Sequence, residues 1–229
     1  MKSIAKILTN LTGIITFIVL VSHSAVYTQD KLEGVSVVNI ECRIIACDTS
    51  FLKDAGIKTK GRSTIINDKA VEDMLRLLKG GKGEAIANYK LALFNEKKDN
   101  ISLLKQIAYV SDYEDAIDPI IDVINEGIVV EMCPNISNDR KYINLEVSTE
   151  IREIKTFTKY PVQVLGEERE IEIPFVILQR YGSTIKIPDR GSLLITGFEN
   201  TLSDRKNDSK KELLILLKAT IFEPEEEIK

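Results

Sequence analysis

Apolar and polar residues alternate from Val35 to Cys47: Val38, Ile40, Cys42, Ile44 and Ala46 fall on one side, and Asn39, Glu41 and Arg43 on the other. Such alternation predicts a strand with one packed face and one that is wet or set against another subunit. Asp54 to Gly61 is rich in turn formers. Asn67 or Asp68 then caps a predicted helix, because Val71, Met74, Leu75 and Leu78 recur at helical spacing before Gly80 and Gly81 end it. One amphipathic helix among strands reads as a cover for a sheet. Further on, Ala85, Ala87, Tyr89, Leu91 and Leu93 line one face of the segment Glu84 to Phe94. Ile101, Leu103, Ile107 and Tyr109 line one face of Ile101 to Val110. With the polar stretch Asn95 to Asn100 between them, the two segments are expected to form an antiparallel hairpin. Ile128 to Cys133 and Tyr142 to Thr149 predict another, with Ile143, Leu145 and Val147 facing in and the loop Pro134 to Lys141 supplying the turn.

Beyond Ile171 the chain reads as strands cut by turn signals. IEIPFVILQRYGSTIKI runs into Pro188, Asp189, Arg190 and Gly191, followed by SLLITGF, a polar insert, and the apolar run ELLILL. Pro188 presets a turn and Gly191 is expected to take the positive φ that closes it, so the flanking strands should fold back on each other. The expected fold is mainly β with a minor α component: antiparallel hairpins with one or two helices packed on the sheet. With 229 residues and 44% hydrophobic content the chain can bury one substantial core, which predicts one domain over residues 35–223.

The N-terminus follows a different logic. Lys2 and Lys6 precede the apolar run Leu11 to Val21, and the small residues Ser22 and Ser24 follow, the order of an export signal over residues 1–24. Residues 25–34 then serve as a short linker, and 224–229 form an acidic tail. The apolar run is shorter than the ~20 residues a spanning helix needs. The formal charge is −4; without residues 1–24 it becomes −6, an acidic balance without a basic patch that argues against nucleic-acid binding. Cys42 and Cys47 sit five positions apart on one strand and so face opposite sides, which prevents their pairing. Two readings remain for the thiols: a bridge from Cys42 or Cys47 to Cys133 in an oxidising envelope, or small buried thiols in apolar strands.

Catalytic chemistry finds little purchase. The one histidine, His23, lies in the export signal, leaving no imidazole for a triad, a proton shuttle or an ordinary zinc site. No nucleophile-elbow or phosphate-cradling glycine pattern occurs. Glu167, Glu168, Glu170 and Glu172 are the solvated edge of a strand before they are paired acids for glycoside chemistry. The segment SDYEDAIDPIIDVINE carries Asp112, Glu114, Asp115, Asp118, Asp122 and Glu126. Their spacing does not match a calcium loop, so a solvated acidic loop is expected. No enzyme activity, cofactor or metal is expected.

The order of pieces in the C-terminal third resembles the secretins, the ring-forming outer-membrane channels of type II and type III secretion and of pilus systems. That family runs from a strand through a V-P-D-G-G-T-like turn to a strand ending in G-G-L and a closing E-L-L-I strand. The counterparts here are IKIPDRGS, LLITGF and Glu212 to Leu217, with Pro188, Asp189, Gly191 and Gly197 as the turn-motif residues. Upstream, VSVVNIECRIIACDTSFLKDAGI and GIVVEMCPNISNDRKYINLEV are similar to earlier secretin segments. Arg190 replaces the second turn glycine and Thr196 the first glycine of G-G-L. The resemblance implies a homo-oligomeric ring in which strands of many copies close a barrel, a role as channel subunit for an exported protein substrate, and an outer-membrane or periplasmic location in a Gram-negative-type bacterium. It places the acidic segment where secretins narrow the channel, so that ring symmetry would repeat its carboxylates around an axis. It also places Ile151 to Glu170 where secretins cross the membrane, although eight charged residues make that stretch too charged for lipid. Other envelope proteins of the secretion system are expected to supply the ring domains that secretins carry ahead of this region. The alternative is a soluble periplasmic structural or binding module that keeps the secretin core without a channel.

Overall fold

The computed structural model describes residues 36–114, 118–200 and 211–222. The segments read as export signal and linker, Asp115, most of the polar insert and the acidic tail lie outside the described residues. The elements are β1 (Val37–Asp48), α1 (Phe51–Asp54), β2 (Ser63–Ile66), α2 (Asp68–Lys79), β3 (Gly83–Phe94), β4 (Asp99–Glu114), β5 (Asp118–Ile136), β6 (Tyr142–Val164), β7 (Glu167–Pro188), β8 (Ser192–Asn200) and β9 (Lys211–Phe222). They build two antiparallel sheets, one in the order β2-β8-β9-β1-β3 and the other in the order β4-β5-β6-β7. The mainly β expectation holds, with two helices.

The apolar runs explain the layers. β1 presents Val38, Ile40, Cys42 and Ile44, and β9 presents Leu213, Ile215 and Leu217, to one buried layer. Ile128, Val130 and Met132 of β5 close that layer from the other sheet, with Ile143, Leu145 and Val147 of β6. The alternating residues of β9, Leu214 and Leu216, enter a second layer with Ile45, Cys47 and Leu194, covered by Phe51 of α1 and Met74 of α2. A strand buried on both faces needs a continuous apolar run, and Leu213 to Leu217 is one. α2 starts where expected: the Asn67 side chain accepts from the Ala70 amide at 2.9 Å, and Gly80 caps the end.

Four expectations are corrected. The segments on either side of Asn95 do not pair with each other; β3 pairs with β1 and β4 with β5. The connecting turn bridges the sheets, since the Asn95 amide donates to Ser36 O at 2.9 Å and the Glu96 amide to Pro134 O at 2.7 Å. Likewise the turn at Pro188 to Gly191 reverses the chain without making a hairpin, because β7 belongs to the four-stranded sheet and β8 to the other. The positive φ there falls on Arg190 (62°), and Gly191 is needed for another reason: a β-carbon on it would lie 2.7 Å from Pro188 O. The described part of the acidic segment is strand and not loop: Asp112 and Glu114 lie at the end of β4, and Asp118, Asp122 and Glu126 on β5. The hairpin from Ile128 and Tyr142 is observed as β5 and β6.

Cys42 and Cys47 enter different buried layers, and all three thiols are free. Burial pushes Cys42 up to about 12, and burial, helped by Glu212 and Asp48, pushes Cys47 to about 12 as well. Thiols that stay protonated are poor nucleophiles. A maleimide added to native protein should therefore label half-exposed Cys133 alone at pH 7 and at pH 9, as read by peptide mapping, and reach Cys42 and Cys47 only in denaturant. Unfolded thiols ionise near ~8.5 while the native ones do not, so this contribution to stability is whole below that pH and falls by ~1.4 kcal/mol per thiol per pH unit above it. Ile215→Ala, which opens a cavity in the completely buried centre of β9, should lower unfolding free energy by about 2–5 kcal/mol in urea titration.

Candidate functional site

β5 and β6 are hydrogen-bonded only from Gly127 to Ile136, against Ile143 to Arg152. Past Gly127, β5 stays with β4 to the acidic end of that hairpin, while β6 continues with β7 as far as Val164 and Glu167. The four-stranded sheet thus forks into two hairpin arms. Gly127 makes the fork: its φ is 142°, and a β-carbon there would sit 2.0 Å from Leu103 O. No L side chain fits such a backbone. The Glu126 carboxylate takes over where the ladder stops, accepting the Ile154 amide at 2.9 Å. A glycine inside an apolar strand pattern is a recognisable signal for a bulge or close backbone approach, and Gly127 is the residue of this site that the sequence reading missed.

Higher up, the arms lie against each other through side chains. The Tyr109 ring is 5.6 Å from Phe157, the Val110 amide donates to the Glu172 carboxylate at 3.2 Å, and the Tyr113 hydroxyl donates to Glu170 O at 3.2 Å. The Tyr109–Phe157 ring contact identifies which face of each arm is inward, while Tyr113, opposite Pro119, reaches the neighbouring arm from the other face. On the β4–β5 arm, Asp122 is opposite Tyr109, Glu126 is opposite Lys105, Asp112 is opposite Ile120 and Glu114 is opposite Asp118, so the five described acids share the face that bears Tyr109. The other face carries Val110, Ile121 and Val123, the last two more than half exposed.

The β6–β7 arm sorts its charges by face. Phe157, Lys159, Glu170 and Glu172 face the β4–β5 arm, with Lys159 bonded to Glu170 at 2.8 Å, a contact that holds the lysine above its ordinary pKa. The outer face carries Thr156, Thr158, Tyr160, Val162 and Val164 beside Phe175, Ile173 and Ile171, with the Glu167–Arg169 ion pair near the turn. Tyr160, Ile173 and Phe175 are about half exposed. The segment that looked too charged for lipid is amphipathic once its register is known.

At the base of this arm Arg180 donates to Glu150 at 2.9 Å and Arg152 to the same carboxylate at 2.7 Å, which together lower the Glu150 pKa. The turn-motif residues serve the fold: the Asp189 carboxylate accepts the Ile221 amide at 2.8 Å, and Gly191 donates to Pro188 O at 2.8 Å. Gly197 stands apart from them, in a bulge of β8 with φ 81°. A shallow groove of about 340 Å³ on the outer face of the four-stranded sheet is lined by Cys133, Asn135, Asn144, Glu146, Thr184 and Glu96. Among the described residues no three His, Cys, Asp or Glu side chains are grouped to hold a metal ion, and no helix is long and apolar enough to cross a membrane.

No family model and no curated protein matches the chain. Solved structures that it matches include secretins. The secretin-domain β-barrel of InvG from the Salmonella SPI-1 injectisome is 9% identical at a TM-score of 0.39, covering 85% of this chain and 63% of that one. The type IV competence pilus secretin PilQ of V. cholerae is 12% identical at 0.38, covering 83% and 59%. GspD in the ETEC AspS–GspD pilotin–secretin complex is 11% identical at 0.40, covering 92% and 57%. The chain therefore spans about three-fifths of the length of these secretin chains.

Gly127→Ala should be destabilising by more than the ~1–3 kcal/mol of backbone strain alone, because the added carbon also collides with Leu103 O. Amide exchange should show the added opening concentrated in the β4–β5 arm, with the β1–β9 ladder unaffected.

Proposed function

We propose that the chain is a secretin-like subunit that assembles into a ring and lines an envelope channel for protein export. The observation that carries this reading is the forked sheet: two long hairpin arms that leave a complete sandwich core, one of them with an apolar outer face. Thr156 to Val164 matches the ~9–11 residues of a membrane-spanning strand, and outward Tyr160, Val162 and Val164 alternate with inward Lys159, Pro161 and Gln163. β4 and β7 are the end strands of the four-stranded sheet; they touch in the arms through Val110–Glu172 and Tyr113–Glu170 but no ladder joins them among the described residues, and strand edges without a ladder attract further strands. A closed ring of copies satisfies both edges and lets the outer arms complete a barrel.

In that ring the inner arm narrows the channel. Its carboxylates do not all point to the lumen, since Glu126 is bonded to the Ile154 amide and the acidic face is the one that meets the outer arm. The free face offers Ile121 and Val123, so an apolar constriction fits the geometry better than a ring of acids. The second reading, a soluble periplasmic module, is favoured by one observation: the main core is closed within a single chain, with Ile40, Ile128, Ile143 and Ile215 at 0% exposure.

The two readings separate on assembly and lipid. Mature protein should form large rings in detergent by mass photometry and float with liposomes. Ile173→Arg with Phe175→Arg, each adding ~2–4 kcal/mol to insertion at the bilayer midplane, should abolish flotation while leaving the circular dichroism spectrum intact. A wild-type chain that stays monomeric in detergent and in liposomes sinks the channel reading.

A further inference from the structure

The two sheets manage their edges differently. In the five-stranded sheet, β2 covers β8 only from Ser192 to Ile195. Beyond that point β8 bulges at Thr196 and Gly197, and its outward amides and carbonyls would be open to any strand. They are occupied instead by two side chains that no sequence pattern marks.

Arg62, in the loop before β2, exchanges bonds with the bulge. The Thr196 amide donates to Arg62 O at 2.8 Å, and the guanidinium donates to Thr196 O at 3.4 Å, to Gly197 O at 3.1 Å and, across the gap, to Arg180 O of β7 at 3.1 Å. Its plane rests 4.6 Å from the Phe198 ring centre and 5.4 Å from that of Tyr181. The planar, multi-donor fork suits guanidinium and not ammonium. Two positions along β8, the Gln179 amide closes a reciprocal pair, donating to Glu199 O at 2.9 Å and accepting the Glu199 amide at 2.9 Å. A side-chain amide here occupies the place of a neighbouring strand's peptide group.

We propose that Arg62 and Gln179 form a clasp that seals the β8 edge, so that copies of this chain do not join β3 of one to β8 of the next. This deepens the ring reading and rests on it. Head-to-tail addition needs two open edges on one sheet. The five-stranded sheet ends in β3 on one side and in β2, four residues long, on the other; with β8 sealed beyond β2 a long ladder from β3 to that side is denied, whereas the four-stranded sheet ends in the long strands β4 and β7. The clasp also ties β7 to β8 and so fixes where the outer arm leaves the sandwich.

The test uses the full mature chain in a Cys133→Ser background with Asn88→Cys on β3 and Glu199→Cys on β8, treated with a short bismaleimide. With the clasp intact, no link should join two copies. With Gln179→Ala, or with Gln179→Ala and Arg62→Ala together, linked ladders should appear and grow with protein concentration. Amide exchange in the otherwise unaltered protein should find Glu199 protected, and Gln179→Ala should speed its exchange at least tenfold while the β1–β9 ladder is unchanged. Gln179→Ala alone removes an exposed side-chain cap and keeps the Arg62 stack, so it guards against loss of folding. Links between copies with the clasp intact, a freely exchanging Glu199 amide in the wild type, or no links in either variant would each overturn the proposal. A monomeric wild type whose variants still gain β3–β8 links would reject the ring and retain the clasp.

Discussion

The apolar layer between the sheets is the constraint from which the rest follows. β1 and β9 on one side and β5 and β6 on the other contribute its fully buried residues, and Ile40, Met132, Leu145 and Ile215 are all at 0% exposure. Burial of that layer favours folding by roughly 25 cal/mol for each Å² of apolar surface removed from water. It requires each of these strands to hold a fixed register, because a slip of one residue would exchange the buried row for the wet one. Everything outside the layer, the arms included, is hung on strands whose lower halves are locked inside it.

The fork shows how a rigid base can present mobile-looking geometry without a break in the chain. β5 is one strand, yet its lower half belongs to the sandwich and its upper half to an arm that meets its neighbour through contacts of Tyr109, Val110, Tyr113 and Glu126. Ladder hydrogen bonds along the lower half are replaced by a few side-chain contacts along the upper half, so the arm has less holding it than the base has. Gly127 concentrates that change in one residue, since its backbone conformation and the nearness of Leu103 O exclude any β-carbon.

Among the described carboxylates whose titration is displaced, Glu150 and Glu41 tie neighbouring strands together. Glu150 is held below the usual carboxylate range chiefly by Arg180 and further by Arg152, and Glu41 chiefly by Lys90. Both are partly exposed surface pairs of the kind worth little to stability. Their contribution is present above the unfolded carboxylate range and is lost as pH falls through the lowered native values. The strongly displaced groups are thiols, and their displacement makes them inert.

The local pattern by itself determined most of the strands (β2 and the acidic ends of β4 and β5 excepted), where α2 starts and ends, an apolar face on each of β1, β3 and β6, and that Cys42 and Cys47 lie on opposite sides. Each of these depends on neighbours within a few positions, through side-chain period or a cap such as Asn67. What tertiary structure alone decided was pairing and facing. The turns at Asn95 and Pro188 announce reversals, but a reversal does not say whether the next strand bonds to the last one or crosses to the other sheet; distant partners, β1 for β3 and β9 for β8, settle it. The sorting of Lys159, Glu170 and Glu172 from Tyr160, Ile173 and Phe175 needed the register of β6 against β7, and Arg62 and Gln179 acquire a role only when β7 and β8 are brought side by side. Local sequence carries period and turn; hydrogen-bond partners far along the chain are chosen by which arrangement buries the most apolar surface while leaving the fewest backbone groups unpaired.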